Sequence, residues 1–220
     1  MMHYQKLKLY HYPLTRSVRV KWMLHEVLGD AFETEIVAVI KGAMLTPEML
    51  AKNPNHNLPM LDIVWEDGRE QTMLESGAMV MWLADAFPDK NLAPAPEASF
   101  ARTDYLQMIQ FGASWMDAIL WQLRLNRDLL PPDLQQRSVF DMNHAKWARE
   151  IEPQLIARFE QHAYICGAAF TAADCIVGHI VRWARAYDLC ADPAFDDYLA
   201  RLETRPAFQL AYSDADQFGK

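Results

Sequence analysis

The sequence predicts a protein of two parts, an α/β half followed by an all-helical half. Residues 1–87 contain a strand-helix-strand pattern and then a hairpin followed by a helix. Residues 88–97 contain three prolines and predict a linker. Beyond the linker, long stretches rich in Met, Trp, Leu and Phe have helical spacing, which predicts an all-α domain over residues 98–220.

The composition is typical of a soluble globular protein. Hydrophobic residues make up 51% and charged residues 23% of the 220 residues, a length sufficient for two small domains with separate cores. The net charge of -8, without a basic stripe, argues against nucleic acid and anionic membranes as partners.

The spacing of the cysteines indicates whether a metal site is expected, and the apolar segments indicate the cellular location. The three cysteines show neither a CxxC pair nor zinc-like spacing, so we expect reduced thiols and no metal site. The sequence shows no secretory signal and no apolar run of about eighteen residues. We therefore expect a cytoplasmic protein.

The first elements follow one another at the spacing of a parallel strand pair. Alternation predicts a strand over residues 7–12, and helical spacing predicts a helix that starts near Thr15 and stops at Gly29. Residues 32–40 predict the second strand, parallel to the first through a right-handed crossover. Residues 46–52, with a threonine cap and a proline in the first turn, predict a short helix.

A hairpin comes next and completes a four-stranded mixed sheet. Pro59 begins the apolar run of residues 60–64, where a strand does not need its first amide. The turn at residues 66–68 leads to a second short strand at residues 71–74. Because X-Pro is the one bond at which a cis peptide costs only about 0.5–1 kcal/mol, the bond between Leu58 and Pro59 is a candidate cis peptide.

The helix after the hairpin begins at a residue pair suited to bind a ligand. Apolar residues recur there at helical spacing: Ala78, Met79, Met81, Trp82, Leu83 and Ala86. Glu75 and Ser76 therefore fall in the first turn, where free amides and the positive end of the helix dipole bind a carboxylate. Glu75 can also accept a cationic amine. The alternative is that the pair only caps the helix.

The segments NLPMLD and LESGAMVMWLADAFPDKNLAP resemble the thioredoxin-like half of glutathione transferases. The resemblance implies a βαβ-ββα domain and glutathione as co-substrate. It implies that Leu58, before a cis Pro59, pairs its backbone with the cysteinyl part of glutathione, and that Glu75 and Ser76 hold the γ-glutamyl part. Asn57 stands where many members have lysine or arginine, so it can hydrogen-bond to glutathione without supplying a charge, and affinity could be modest.

A second motif lies in the helical half and extends the resemblance over nearly the whole chain. The segment FTAADCIVGHIVRWARAYDL resembles the buried sixth helix of the same family. Thr171 is a good N-cap, and Asp174 three residues later can return a hydrogen bond to the Thr171 amide, as in a capping box. We expect a structural role for this pair.

The residue that ionises the glutathione thiol is expected in YHYPLTRSVRVKW, at the end of the first strand or the start of the first helix. Many bacterial members carry Pro-x-Ser-Arg-Ser, and PLTRS here puts Thr15 in the first serine position, with Ser17 as second choice. The alternatives are His11, Tyr10 or Tyr12, and Thr15 could instead only cap the helix.

The resemblance implies a glutathione transferase of the detoxification type, and, together with the large apolar residues Met79, Met81 and Trp82, it implies a homodimer. The enzyme would add glutathione to small, largely apolar electrophiles or use it to reduce hydroperoxides. Met108, Phe111 and Trp115 on the first long helix are candidates for the second-substrate pocket, with core packing as the alternative. A binding protein for glutathione or a hydrophobic ligand that lacks turnover is the competing interpretation, and a pure scaffold is disfavoured because it needs no polar ligand site.

Overall fold

The computed structural model describes residues 4–219. Its strands are β1 Tyr4–His11, β2 Glu33–Ile36, β3 Met60–Trp65 and β4 Glu70–Met73. Its α-helices are α1 Ser17–Leu28, α2 Pro47–Lys52, α3 Ser76–Ala86, α4 Phe100–Gln110, α5 Asp117–Arg124, α6 Arg137–Lys146, α7 Glu152–Phe159, α8 Ala172–Arg185, α9 Pro193–Glu203 and α10 Pro206–Ala211. Short π-helical segments, Phe111–Met116, Leu125–Leu129 and Trp147–Ile151, continue α4, α5 and α6.

The chain forms two compact units. The first unit contains the described residues up to Asn91 together with those from Thr204 onward, and the helical unit contains Leu92–Glu203. The sheet of the first unit has the order β2-β1-β3-β4. Strand β1 pairs in parallel with β2 and antiparallel with β3, and β3 pairs antiparallel with β4. The predicted thioredoxin-like sheet and the helical part after it are confirmed.

The second strand is shorter than the sequence predicts. It ends at Ile36, and two 3-10 turns, Val39–Lys41 and Ala43–Leu45, replace the rest of the predicted run. Gly42 between these turns has φ 76°, a left-handed conformation that glycine adopts without steric cost and that differs from regular extended backbone. The chain therefore leaves the sheet after Ile36 and turns before α2.

The end of the chain differs from the domain division that the sequence predicts. Residues from Thr204 onward pack on α1 of the first unit instead of joining the helical unit. The Trp22 and Phe208 rings meet edge to face with 4.9 Å between centroids, and Arg205 donates to both carboxylate oxygens of Glu26 at 2.7 and 2.8 Å. Aromatic packing and a two-pronged ion pair therefore attach this segment to the first unit.

The helical unit contains the predicted capping box at the start of α8. Asp174 is completely buried, and its Oδ2 accepts from the Thr171 amide at 2.8 Å. The second oxygen, Oδ1, accepts from the Ile165 amide and the Tyr198 hydroxyl, each at 2.9 Å. The carboxyl group thus joins α8 to α9 as well as capping its own helix.

Among residues 4–219, none of the helices combines the length and hydrophobicity that a bilayer crossing requires.

Candidate functional site

The candidate site lies at one edge of the sheet of the first unit. Tyr10 in β1 pairs with Met60 in β3, and Leu61 pairs with Met73 in β4. Because both pairings are antiparallel, the end of β1, the start of β3 and the end of β4 lie side by side. The sheet therefore brings together the loops at residues 12–17, 57–59 and 74–76, which the sequence singled out separately.

The loop before β3 contains the predicted cis bond between Leu58 and Pro59. Asn53 is fully buried, and its side-chain amide donates to the carbonyl oxygen of Asn57 at 2.9 Å and to Asn57 Oδ1 at 2.8 Å. Asn53 Oδ1 in turn accepts from the Asn55 amide at 3.0 Å. Asn53 thus fixes the loop and orients Asn57, a role that sequence reasoning missed because NPNHN contains three asparagines with no periodicity to separate them.

The start of α3 presents Glu75 and Ser76 at the same edge. Glu75 is exposed and has φ 72°, an unusual conformation for a residue with a side chain and one that often occurs at functional sites. Ser76 is buried, and Arg19 of α1 lies with Nη1 3.4 Å from Ser76 Oγ. Arg19 is itself fully buried, which places a cation behind the helix start. Sequence reasoning missed it, although an arginine within an apolar helix face was a signal.

Thr15 and Ser17 differ in their access to solvent. Thr15 is half-buried, whereas Ser17 is completely buried. Thr15 Oγ1 lies 2.8 Å from both the Tyr12 carbonyl oxygen and Ser17 Oγ. Ser17 Oγ also accepts from the Tyr12 amide at 3.1 Å and lies 2.7 Å from His11 Nδ1. The Ser17 hydroxyl is therefore surrounded by protein groups.

The histidine and the two tyrosines near the site also have partners within the first unit. Tyr10 donates its hydroxyl to Asp62 Oδ2 at 2.9 Å, and the Tyr12 hydroxyl accepts from the Gly219 amide at 2.9 Å. His11 is completely buried, and its Nε2 lies 3.1 Å from Asp214 Oδ2. Neither phenol projects freely toward the edge of the sheet.

Asp214 lies between His11 and a lysine. Lys21 donates from Nζ to Asp214 Oδ2 at 2.7 Å. Burial by itself would raise the pKa of Asp214, but the hydrogen bonds from His11 and Lys21 outweigh burial and lower the pKa to about 2. Burial also lowers the pKa of His11 below its ordinary value, more than the neighbouring Asp214 raises it. Asp214 is therefore ionised and His11 neutral at pH 7.

The three candidates for the second-substrate pocket lie in the helical unit. Met108 is 2% exposed and belongs to the core of that unit. Phe111 is half-buried, and Trp115 is 47% exposed with Lys146 Nζ 4.2 Å from its ring centroid. Of these three candidates, Phe111 and Trp115 are accessible to a ligand, whereas Met108 is buried in the core.

No group of three or more His, Cys, Asp or Glu side chains with a metal-binding arrangement occurs among residues 4–219.

Comparisons with known proteins show which families and folds this chain resembles. A family model described as "Glutathione S-transferase, N-terminal domain" matches residues 9–91. A glutathione transferase from Burkholderia graminis, solved with two glutathione molecules bound per subunit, has a TM-score of 0.83 and 26% identity, covering 98% of this chain and 90% of that chain. A family member from Pseudomonas fluorescens gives a TM-score of 0.82 at 21% identity, covering 94% and 92% of the two chains.

Two curated relatives match over different lengths. "Glutathione S-transferase GstA" of Escherichia coli O157:H7 is 26% identical over 94% of this chain and 98% of its own length. "Glutathione S-transferase 1" of Dianthus caryophyllus is 38% identical, but the match covers only 41% of this chain and 38% of the relative. The fold is thus a thioredoxin-like domain with a helical C-terminal part. Residues 9–91 match the N-terminal domain of the glutathione S-transferase family, and the chain as a whole is similar in sequence and fold to glutathione transferases.

Proposed function

We propose that this protein is a glutathione transferase that joins the glutathione thiolate to small, largely apolar electrophiles. The observation that carries the proposal is the convergence of the Leu58–Pro59 bond, the Glu75–Ser76 helix start and the Thr15 loop at one edge of the sheet. Three features at separate places in the sequence come together there, as a ligand with several recognition groups requires.

Glutathione would bind across this edge. The backbone of Leu58 would pair with the cysteinyl part, and Asn57, held by Asn53, would add a neutral hydrogen bond. The γ-glutamyl carboxylate would lie at the start of α3, on the Ser76 hydroxyl and the free amides, with the Arg19 charge behind them. Glu75 would receive the γ-glutamyl amine.

Thr15 is the residue proposed to contact the thiol. The Thr15 side chain is half-buried and accessible to a ligand, whereas the Ser17 side chain is completely buried. A charge-assisted hydrogen bond to the sulfur, together with the nearby start of α1, would favour the thiolate over the thiol. Ser17, the second choice from the sequence, would then act behind Thr15.

Reduction of hydroperoxides is a second candidate. The Burkholderia graminis relative binds two glutathione molecules per subunit. A peroxide consumes two glutathione molecules and yields an alcohol, water and glutathione disulfide. A site that accepts a second glutathione beside the first would therefore suit this reaction.

Retention on immobilised glutathione and turnover of both substrate classes test these proposals. We expect Ser76→Ala and Glu75→Ala to weaken retention without unfolding the protein. Ser99→Ala is the matched control, because Ser99 caps α4 by accepting from the Arg102 amide at 3.2 Å in the other unit. Equal retention of all variants would refute the site. Saturable binding with neither conjugation nor peroxide reduction would identify a non-catalytic glutathione-binding protein instead.

A further inference from the structure

A continuous chain of hydrogen-bonding groups leads from the Thr15 hydroxyl into the first unit. Thr15 Oγ1 lies 2.8 Å from Ser17 Oγ, and Ser17 Oγ lies 2.7 Å from His11 Nδ1. The other ring nitrogen, Nε2, lies 3.1 Å from Asp214 Oδ2. Lys21 Nζ reaches the same carboxylate oxygen at 2.7 Å. Of these five hydrogen-bonded side chains, Thr15 is half-buried, and Ser17, His11, Asp214 and Lys21 are buried.

The partners determine where each proton lies. An ionised Asp214 can only accept, so His11 Nε2 carries a proton and donates it. Neutral His11 then has an unprotonated Nδ1, which accepts the Ser17 hydroxyl proton at 2.7 Å in place of the Tyr12 carbonyl oxygen, which lies 3.1 Å from Ser17 Oγ. Ser17 has no second proton, so the Thr15 hydroxyl donates inward, to Ser17 or to the Tyr12 carbonyl oxygen. In this state Thr15 presents lone pairs, not a proton, to a ligand.

We propose that the hydrogen-bonded side chains Thr15, Ser17 and His11 form a proton relay, which takes up the proton of the glutathione thiol and holds it on His11. The proposal rests on glutathione binding with its sulfur beside Thr15, as proposed above. The S–H bond breaks and its electron pair stays on sulfur. The proton moves to Thr15 Oγ1, the Thr15 proton moves to Ser17 Oγ, and the Ser17 proton moves to His11 Nδ1.

The transfer reverses the direction of the hydrogen bonds between Thr15 and Ser17 and between Ser17 and His11 Nδ1, whereas His11 Nε2 and Lys21 donate to Asp214 both before and after it. His11 becomes an imidazolium that donates from Nδ1 to Ser17 and from Nε2 to Asp214, and Thr15 now donates its hydroxyl to the thiolate. This reconciles the inward-pointing Thr15 of the free protein with its role as donor in the complex. Thr15 alone contacts the sulfur, so Ser17, His11 and Asp214 are positioning residues.

The groups around His11 suit the storage of one proton. Asp214 stabilises the imidazolium through a direct hydrogen bond, while the positive Lys21 and burial oppose the charge. The Ser17 hydroxyl contacts the other ring nitrogen, Nδ1. Burial and Lys21 keep His11 neutral before the ligand arrives, so Nδ1 is free of a proton. In the complex the new negative charge of the thiolate favours the imidazolium, and the relay requires this charge to raise the pKa of His11 above neutral pH.

Proton counting in the parent protein tests the relay directly. Thiolate formation is followed by ultraviolet absorbance, and net proton release by calorimetry in two buffers of different ionisation enthalpy near neutral pH. We expect close to zero protons released per thiolate formed. Release of one proton per thiolate would overturn the relay alone, and absence of any thiolate would overturn the proposed function and the relay with it.

Nitrogen NMR of labelled histidine provides a second readout that needs no variant. Glutathione is expected to shift His11 Nδ1 from the unprotonated to the protonated range, and S-methylglutathione, which has no thiol proton, is expected to leave it unchanged. An unprotonated Nδ1 in a complex that contains thiolate would contradict the proposal.

The substitution His11→Gln keeps a donor toward Asp214 but cannot store a proton. Any thiolate formed by this variant should release one proton to the buffer. His25→Gln is the matched control, since His25 is a partly buried histidine of α1 whose ring contacts the Gly29 carbonyl oxygen at 2.8 Å and lies outside the hydrogen-bonded chain. It should behave like the parent. Near-zero release in His11→Gln would show that another group takes the proton.

Discussion

Replacement of Asp174 by alanine is expected to destabilise the helical unit by more than the loss of a helix cap. The carboxyl group accepts from four donors, the amides of Ile165 and Thr171 and the hydroxyls of Thr171 and Tyr198. Alanine would leave all four without this acceptor. Ile165 and Tyr198 are completely buried, so water cannot replace the carboxylate there, whereas Thr171 is half-buried.

The magnitude follows from the two buried donors. A buried donor without a partner costs about 1–3 kcal/mol, so Ile165 and Tyr198 together predict a loss of roughly 2–6 kcal/mol in the free energy of unfolding. A cap by itself is worth about 0.5–2 kcal/mol. Removal of a buried carboxyl that is costly to ionise offsets part of this loss, which places the expected value near the middle of the range.

Urea denaturation of Asp174→Ala and Asp192→Ala measures the difference. Asp192 is the matched control because it is an exposed aspartate that accepts only from the Ala194 amide, at 2.9 Å, at the start of α9 in the same unit. The free energy of unfolding of Asp192→Ala should fall by no more than the loss of one helix cap, about 0.5–2 kcal/mol. Equal losses for the two variants would refute the reasoning about buried donors, and lost turnover at unchanged stability would give Asp174 a functional role.

Four further predictions concern pH, chemistry and assembly. Burial raises the pKa of Asp174 from 3.8 to about 6, so the folded state binds the proton more tightly. This group's contribution to stability should fall by about 2 kcal/mol from pH 4 to pH 6, and the fall should be absent in Asp174→Asn. The pKa of Asp214 is instead lowered to about 2, so Asp214→Asn should cost about 1–2 kcal/mol at pH 7, and the cost should vanish as pH falls from 4 to 2 in acid-unfolding titrations. Thr15→Val should raise the pKa of the bound glutathione thiol by about one to two units, because it removes one charge-assisted hydrogen bond of roughly 1.5–3 kcal/mol. An unchanged titration of the thiolate absorbance would exclude Thr15 as the donor to the thiolate. Light scattering should give a mass near twice 25.3 kDa for the predicted homodimer, and the monomer mass at micromolar concentration would contradict it.

Features that depend on neighbouring residues could be predicted before the fold was known. The X-Pro bond at Pro59, the helix start at Glu75 and Ser76, and the capping box of Thr171 and Asp174 each follow from residues at most three apart. Their preferences arise from local backbone sterics and hydrogen bonding, which short sequences encode. The order of these features also sufficed to predict the sheet and the helical part after it.

Contacts between buried groups that are far apart in sequence could be found only in the tertiary structure. His11 and Asp214 are 203 residues apart in sequence, and Arg19 and Ser76 are 57 apart, so no periodicity relates them. The same long-range packing placed the end of the chain on α1, which supplies Asp214 to the first unit. Burial then separated Thr15 from Ser17, although both carry hydroxyls two residues apart, because exposure depends on the whole surrounding shell of side chains and not on residue type.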